Sequence, residues 1–198
     1  TLSWICQTTP LPKNYREKIT KLNIRNLGVA RATALAVKDA KKEEFNKQIK
    51  LINLPIAQMV SDEKIAKIAL AMLCLGEASK SGGQSSFSLG NSDPRIVVLF
   101  LTLLKMCFDD FDPKKIRATI QCRADQNTKK LEDFWIKITR IPKLQFYKPL
   151  IDPRTVGKPT KKKSYKGILK IDYLSSKTQL ELESLADLIY NQIRGPVV

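Results

Sequence analysis

Polar side chains that can contact nucleic acid alternate with apolar ones between residues 115 and 123. The polar members are Arg117, Thr119, Gln121 and Arg123, and the apolar members are Ile116, Ala118, Ile120 and Cys122. Alternation with a period of two predicts a strand with one face in the core and the other face open. Arginine, glutamine and threonine hydrogen-bond base edges and phosphates, and a β-ribbon fits the major groove of B-form DNA. The pattern favours a DNA-contacting face over its alternative, an ordinary solvated sheet face.

Two further predicted strands extend this polar face. The strand Gln84 to Leu89 contributes Ser86 and Ser88, and the strand Tyr165 to Leu174 contributes Lys166, Lys170 and Asp172. We therefore expect serines, lysines and one acid to lie beside the arginines of the central strand.

The basic charge is concentrated in the same part of the chain. The formal net charge is +16, and residues 113–175 carry 17 basic and 5 acidic side chains. Such an asymmetry is typical of proteins that bind a polyanion. We expect phosphate contacts from a loop that carries Lys158, Lys161, Lys162, Lys163 and Lys166. Two alternatives are a solvated lysine-rich loop and an RNA-binding loop in which Phe146, Tyr147 and Tyr165 stack on bases.

Several classes of function are excluded by composition. The chain has no histidine, and its four cysteines are far apart in the sequence. This excludes zinc fingers, histidine-based catalytic triads and Cys-His nucleophilic sites. Unpaired cysteines favour the reducing cytoplasm. The longest apolar run, from Ile68 to Gly76, is too short to span a bilayer, so we expect no membrane partner. We also expect no small-molecule cofactor.

The length predicts one domain, or one domain with a small appendage. We expect a helical arm over residues 1–56, in which Gly28 interrupts the helix and Leu54-Pro55 ends it. The remaining residues, 57–198, form the second domain. Its first helix begins with Ser61 as the cap and runs from Ile65 to about Ser79, with apolar residues on nearly all sides.

The elements after this helix predict an α+β fold. Helices are expected over Arg95 to Phe108, Thr128 to Ile141 and Lys177 to Arg194, with a short strand at Leu144 to Lys148. The order from residue 61 is helix, strand, helix, strand, helix, strand, strand, helix. It predicts a mixed, mainly antiparallel sheet with helices on one face and the polar face open.

The segment Leu70-Ala71-Met72-Leu73-Cys74-Leu75-Gly76-Glu77 resembles the helix motif of the LAGLIDADG homing endonucleases, which ends in a small residue and an acid. The strand and turn from Ser86 to Asp93, and the strand from Tyr165 that enters the last helix, are also similar to that family. The resemblance covers roughly Asp62 to Ile193. It is strongest to bacterial and archaeal proteins with a helix-turn-helix before such a domain, and the sequence begins inside the helix that matches it, so we expect only a remnant of that motif.

The resemblance implies a metal-dependent reaction on DNA. In the family, two such helices pack about a two-fold axis, and their terminal acids bind divalent metal ions above the DNA. It implies that Glu77 is the Mg²⁺ ligand and catalytic acid, that Lys80 assists it, and that two chains meet through the helix from Ile65 to Gly76. Because only one copy of the motif is present, cleavage would require a homodimer.

Two functions therefore stand as expectations. The first is a homodimeric, Mg²⁺-dependent, site-specific endonuclease that acts on double-stranded DNA. The alternative is a catalytically silent transcriptional regulator with the same fold. A carboxylate from the partner chain near Glu77 would distinguish the first from the second.

Overall fold

The computed structural model describes residues 12–78, 87–162 and 164–195. The chain divides between Gln58 and Met59 into two compact units. Several sequence-based predictions fall outside the described residues: the helical remnant at the N-terminus, the start of the strand predicted from Gln84, and the site residues Lys80, Ser86 and Lys163. None of the helices in the described parts is long and apolar enough to cross a membrane.

One long helix, α1 (Tyr15–Gln58), dominates the first unit, and none of its side chains is buried. The prediction that Gly28 interrupts this helix and that Pro55 ends it is wrong, because both residues lie inside it. Glycine in a helix costs only about 1 kcal/mol relative to alanine, which its neighbours can offset. Proline removes one hydrogen bond and bends a helix, and here the helical turns continue for three more residues.

The second unit begins with a short 3₁₀ helix (Met59–Ser61) and the apolar helix α2 (Glu63–Glu77). Asp62 caps α2, because its carboxylate accepts hydrogen bonds from the backbone of Lys64 and Ile65. The prediction of Ser61 as the cap is therefore wrong by one residue. Only one face of α2 is in the core; Ile68 and Leu75 on the other face are 44% and 42% exposed.

The described residues contain four strands, β1 (Phe87–Asn91), β2 (Ile116–Arg123), β3 (Leu150–Asp152) and β4 (Ile168–Tyr173). They form one mixed sheet in the order β1-β4-β2-β3, in which β2 and β3 pair in parallel and the other neighbours pair antiparallel. This confirms the predicted α+β class with a mixed sheet. The strand predicted from Leu144 to Lys148 is reduced to one bridge, in which Phe146 pairs in parallel with Ala118 and the Tyr147 amide donates to the Ala118 carbonyl at 2.8 Å. Its first residues are instead a 3₁₀ turn, Lys143–Gln145, and the side chain of Gln145 donates to the backbone carbonyls of Pro113 and Ile116.

Helices α3 (Pro94–Cys107), α4 (Thr128–Thr139) and α5 (Ser176–Arg194) complete the unit. Helix α2 packs against α3 and α5, and α3 also contacts β1 and α4. The alternation in β2 is confirmed, since its four apolar side chains are buried together with those of β4: Ile116, Ala118, Ile120, Cys122, Leu169, Ile171 and Tyr173. The opposite side chains of these strands form the polar face.

Candidate nucleic-acid interface

The sheet register brings the predicted polar residues side by side. Arg117 lies opposite Asp172 on β4, and Asp172 lies opposite Ser88 on β1. Thr119 lies opposite Lys170 in the next row. Ser88 and Thr119 are buried by their neighbours, and Gln121 is the exposed residue of β2 on this face.

The cations on the polar face are largely occupied by the protein itself. Arg117 donates from Nη1 to the backbone oxygens of Lys114 and Ile116, at 2.7 and 2.8 Å. The Lys170 ammonium lies 2.9 Å from the Asp172 carboxylate. In this part of the face, Arg117 and Lys170 therefore have partners within the protein, and Asp172 offsets one of their two positive charges.

Lys166 lies away from the polar face. Its ammonium is 5.6 Å from the centroid of the Phe134 ring on α4, and its backbone oxygen accepts a hydrogen bond from the indole of Trp135. Gly167, with a φ of 71°, separates Lys166 from β4 and breaks the alternation on which the prediction depended. A Cβ at Gly167 would lie 2.7 Å from the backbone oxygen of Gln121, so the chain passes close to β2 here.

The turn between β2 and α4, residues 123–126, holds the basic segment, which we define as residues 154–166. Each of the four turn residues makes a hydrogen bond to it. Arg123 Nη2 donates to the Lys158 carbonyl at 2.7 Å, and the Ala124 amide donates to Thr155 Oγ1 at 2.8 Å. The Asp125 carboxylate accepts from the amide and the hydroxyl of Thr160 at 2.5 and 2.8 Å. Gln126 Nε2 donates to the Tyr165 carbonyl at 2.8 Å. The described residues of the basic segment are therefore tied to this turn at Thr155, Lys158, Thr160 and Tyr165.

The hydrogen bonds also set the charge state of this turn. The two bonds from Thr160 lower the pKa of Asp125, so its carboxylate stays ionised well below neutral pH. Arg123 Nε is buried without a hydrogen bond, and the Asp125 carboxylate lies 3.8 Å from it. The guanidinium of Arg123 thus anchors the basic segment from within and is only 29% exposed.

A cleft of about 940 Å³ lies between the basic segment and the ends of β2 and β3. Its cationic lining is Arg123, Arg154, Lys158, Lys161 and Lys162. The acid in the lining, Asp152, is paired with Arg154 at 2.9 Å, and this contact lowers the pKa of the Asp152 carboxyl. Within the described residues, no ion pair involves Lys158, Lys161 or Lys162. Three lysines therefore remain available to an anion.

Glu77 is at the C-terminal end of α2 and is exposed. Its carboxylate accepts a hydrogen bond of 2.8 Å from the Asn91 amide, whose oxygen accepts from the Asp93 backbone. In the described parts of the chain, no group of three or more cysteine, aspartate and glutamate residues is arranged to hold a metal ion. Glu77 is therefore an exposed carboxylate whose orientation is fixed by Asn91.

Sequence reasoning missed the residues that position the lysines. Asp125, Gln126 and Thr155 have the composition of ordinary turn residues, and their partners lie 31 to 39 residues away in the chain. No short-range pattern carries that information. Arg154 was visible as part of the basic stretch, but its position in the cleft depends on the 3₁₀ turn Pro153–Thr155.

Comparisons of the chain with protein-family models, with curated proteins and with solved structures found no significant match.

Proposed function

We propose that this chain binds double-stranded DNA through the basic segment and the adjoining polar face of the sheet. The observation that supports this most directly is the cleft with three lysines that pair with no acid among the described residues. Lysines in such a position attract phosphates and release the counter-ions of the duplex. Gln121 is exposed beside them and offers an amide to a base edge.

The proposed fold is that of a LAGLIDADG-like domain that forms a homodimer. The order of helices and strands after residue 62 supports it, as does the mixed sheet with one polar face. The exposed apolar residues Ile68 and Leu75 on α2 support the dimer, because they would be buried if two copies of α2 met. An added Cβ at Gly76 meets nothing within 4 Å, so this end of α2 is open to close helix approach.

The proposed activity is Mg²⁺-dependent cleavage of the bound DNA. Glu77 is suited to bind Mg²⁺, because it is an exposed carboxylate whose orientation is fixed by Asn91. In proteins, Mg²⁺ binds through one or two carboxylates and keeps several of its water molecules. The metal ion would supply an activated water and charge neutralisation at the phosphate. The chain's own contribution is to hold Glu77 and to fix the DNA on the lysines. A regulator that binds but does not cut DNA is the second candidate, since DNA binding by the lysines of the cleft requires no metal ligand.

Cleavage and binding are tested separately. Supercoiled DNA that carries candidate target sites is incubated with Mg²⁺ or Mn²⁺, and binding to the same DNA is measured in Ca²⁺. We expect Glu77→Gln to abolish cutting and to leave binding intact, since the amide keeps the hydrogen bond but cannot hold the metal. Equal cutting by both proteins would remove Glu77 from the mechanism. Binding without cutting by the parent protein would favour the regulator.

The compartment proposed for this activity is the cytoplasm. Cys74, Cys107 and Cys122 are free and buried, which agrees with a reducing compartment. Burial raises the pKa of Cys74 to about 12, so this thiol is inert at physiological pH.

A further inference from the structure

The cleft has an apolar floor that contact with phosphates does not require. Leu150 lines it and is 56% exposed, although it lies in the most basic part of the chain. Leu150 and Ile168 both pair with Gln121 in the sheet, so they lie on the same face, and Tyr165 lines the cleft as well. Phosphates on the outside of a duplex are bound by polar and cationic groups, so this apolar lining favours a different part of the ligand.

The rim of the same cleft is cationic. Lys158, Lys161 and Lys162 lie on the basic segment, and the turn at residues 123–126 fixes that segment by four sets of hydrogen bonds. An apolar floor with a phenol ring and a rim of lysines is complementary to a flat ring joined to phosphates. That combination is a nucleotide, and the volume is large enough to admit one.

The position of the cleft indicates where the nucleotide comes from. Gln121 lines the cleft and is also the exposed residue of the polar face. A strand of DNA on the polar face would therefore pass the mouth of the cleft. Bases that leave a duplex are bound by contacts with aromatic and apolar side chains.

We propose that the cleft holds one nucleotide of the bound DNA strand, taken out of the base stack. Its base lies on Leu150 and Tyr165, and its flanking phosphates lie on the lysines of the rim. This inference rests on the proposed DNA binding and adds to it a site for an unpaired base.

The test compares two fluorescent duplexes of about 25 base pairs that differ in one nucleotide. In the first, 2-aminopurine is paired with thymine; in the second, it is an unpaired single-nucleotide bulge. We expect the bulged duplex to bind roughly tenfold more tightly, because the cost of unpairing has been removed and the base still gains its stacking contacts. The fluorescence of the bulged base should also change on binding.

Leu150→Glu should abolish this preference, since a carboxylate at this position removes the apolar contact with the base and repels its phosphates. The control is Leu144→Glu, which places the same charge on a side chain that is 98% exposed and outside the cleft lining. Equal affinity for the two duplexes would overturn the inference while the proposed DNA binding stands. Competition by free nucleoside monophosphate at micromolar concentration would overturn it by assigning the cleft to a free nucleotide. Failure to bind either duplex at low salt would refute the proposed function itself.

Discussion

Replacement of Arg123 tests whether this side chain anchors the basic segment or contacts the base edges of DNA. The sequence predicts that its guanidinium faces base edges, whereas in the structure Nη2 donates to the Lys158 carbonyl at 2.7 Å and the side chain is 29% exposed. We therefore expect Arg123→Ala to release the basic segment and to weaken binding equally on all DNA sequences. A base-reading arginine would instead lose preference at a single base pair.

The magnitude follows from the hydrogen bond that is lost. A bond from a charged donor contributes about 1.5–3 kcal/mol, which raises the population of the open basic segment by roughly 10- to 150-fold. Apparent affinity for DNA falls in proportion to the fraction of molecules whose basic segment stays closed. The loss is therefore small if the segment remains mostly closed in the variant, and it reaches about 150-fold if the segment is mostly open. Hydrogen exchange at the amides of residues 155–165 should accelerate by a similar factor where exchange proceeds through this opening.

The assay pairs hydrogen exchange with anisotropy titrations on duplexes that differ by single base pairs. Arg117→Ala is the matched control, because Arg117 lies on the same strand and also donates to backbone carbonyls, but those belong to Lys114 and Ile116. The control should leave exchange at residues 155–165 unchanged. A loss confined to one base position, with exchange unaltered in Arg123→Ala, would refute the anchoring role.

Three further predictions concern backbone, assembly and pH. Gly167→Ala should lower the free energy of unfolding by about 1–3 kcal/mol in thermal melts, because the added Cβ would lie 2.7 Å from the Gln121 backbone oxygen. Gly157→Ala is the control and should cost less, because the added Cβ there meets nothing within 4 Å. Equal losses in the two variants would contradict this prediction. Gly76→Leu should fold normally and sediment as a monomer, while a dimer of unchanged affinity would place Gly76 outside the interface. DNA affinity should vary less than about twofold between about pH 5.5 and 8, since the chain has no histidine. Because the pKa of Asp125 is lowered in the folded protein, its bonds to Thr160 stabilise the turn fully above the unfolded pKa of about 3.9. This stabilisation is lost only as the pH falls through the lower pKa of the folded state. A midpoint of DNA binding near neutral pH would contradict the prediction.

Local patterns predicted much of the fold. The alternation in β2 located the core side of the sheet, and Asp93-Pro94 marked the start of α3, where the Asp93 carboxylate accepts from the Arg95 amide. These features succeed because burial and capping act over a few residues. The predicted end of α1 at Pro55 was wrong, because the helical turns continue to Gln58. The strand predicted from Leu144 to Lys148 was too long, because hydrogen bonds from the Gln145 side chain hold its first residues in a 3₁₀ turn and leave one bridge at Phe146.

The candidate site was predictable in composition and not in arrangement. The excess of lysine after residue 142 indicated a polyanion partner, and three of those lysines line the cleft. The role of Arg123 could not be read from the sequence, since alternation places it on a face but does not show that its guanidinium meets a carbonyl 35 residues later. The position of Lys166 away from the polar face could not be read from the sequence for the related reason that Gly167, with a φ of 71°, interrupts the alternation before β4.

The salt dependence of DNA binding tests the central claim most directly. We expect replacement of Lys158, Lys161 and Lys162 by alanine to reduce the slope of log affinity against log salt by about 2.7, since each neutralised phosphate contributes about 0.9. The control removes three lysines from helices, Lys105, Lys137 and Lys177, which are exposed and outside the cleft lining. The account predicts a shallower slope for the first variant and the parent slope for the control. An unchanged slope in the first variant, or an equal reduction in both, would contradict the assignment of the cleft to DNA.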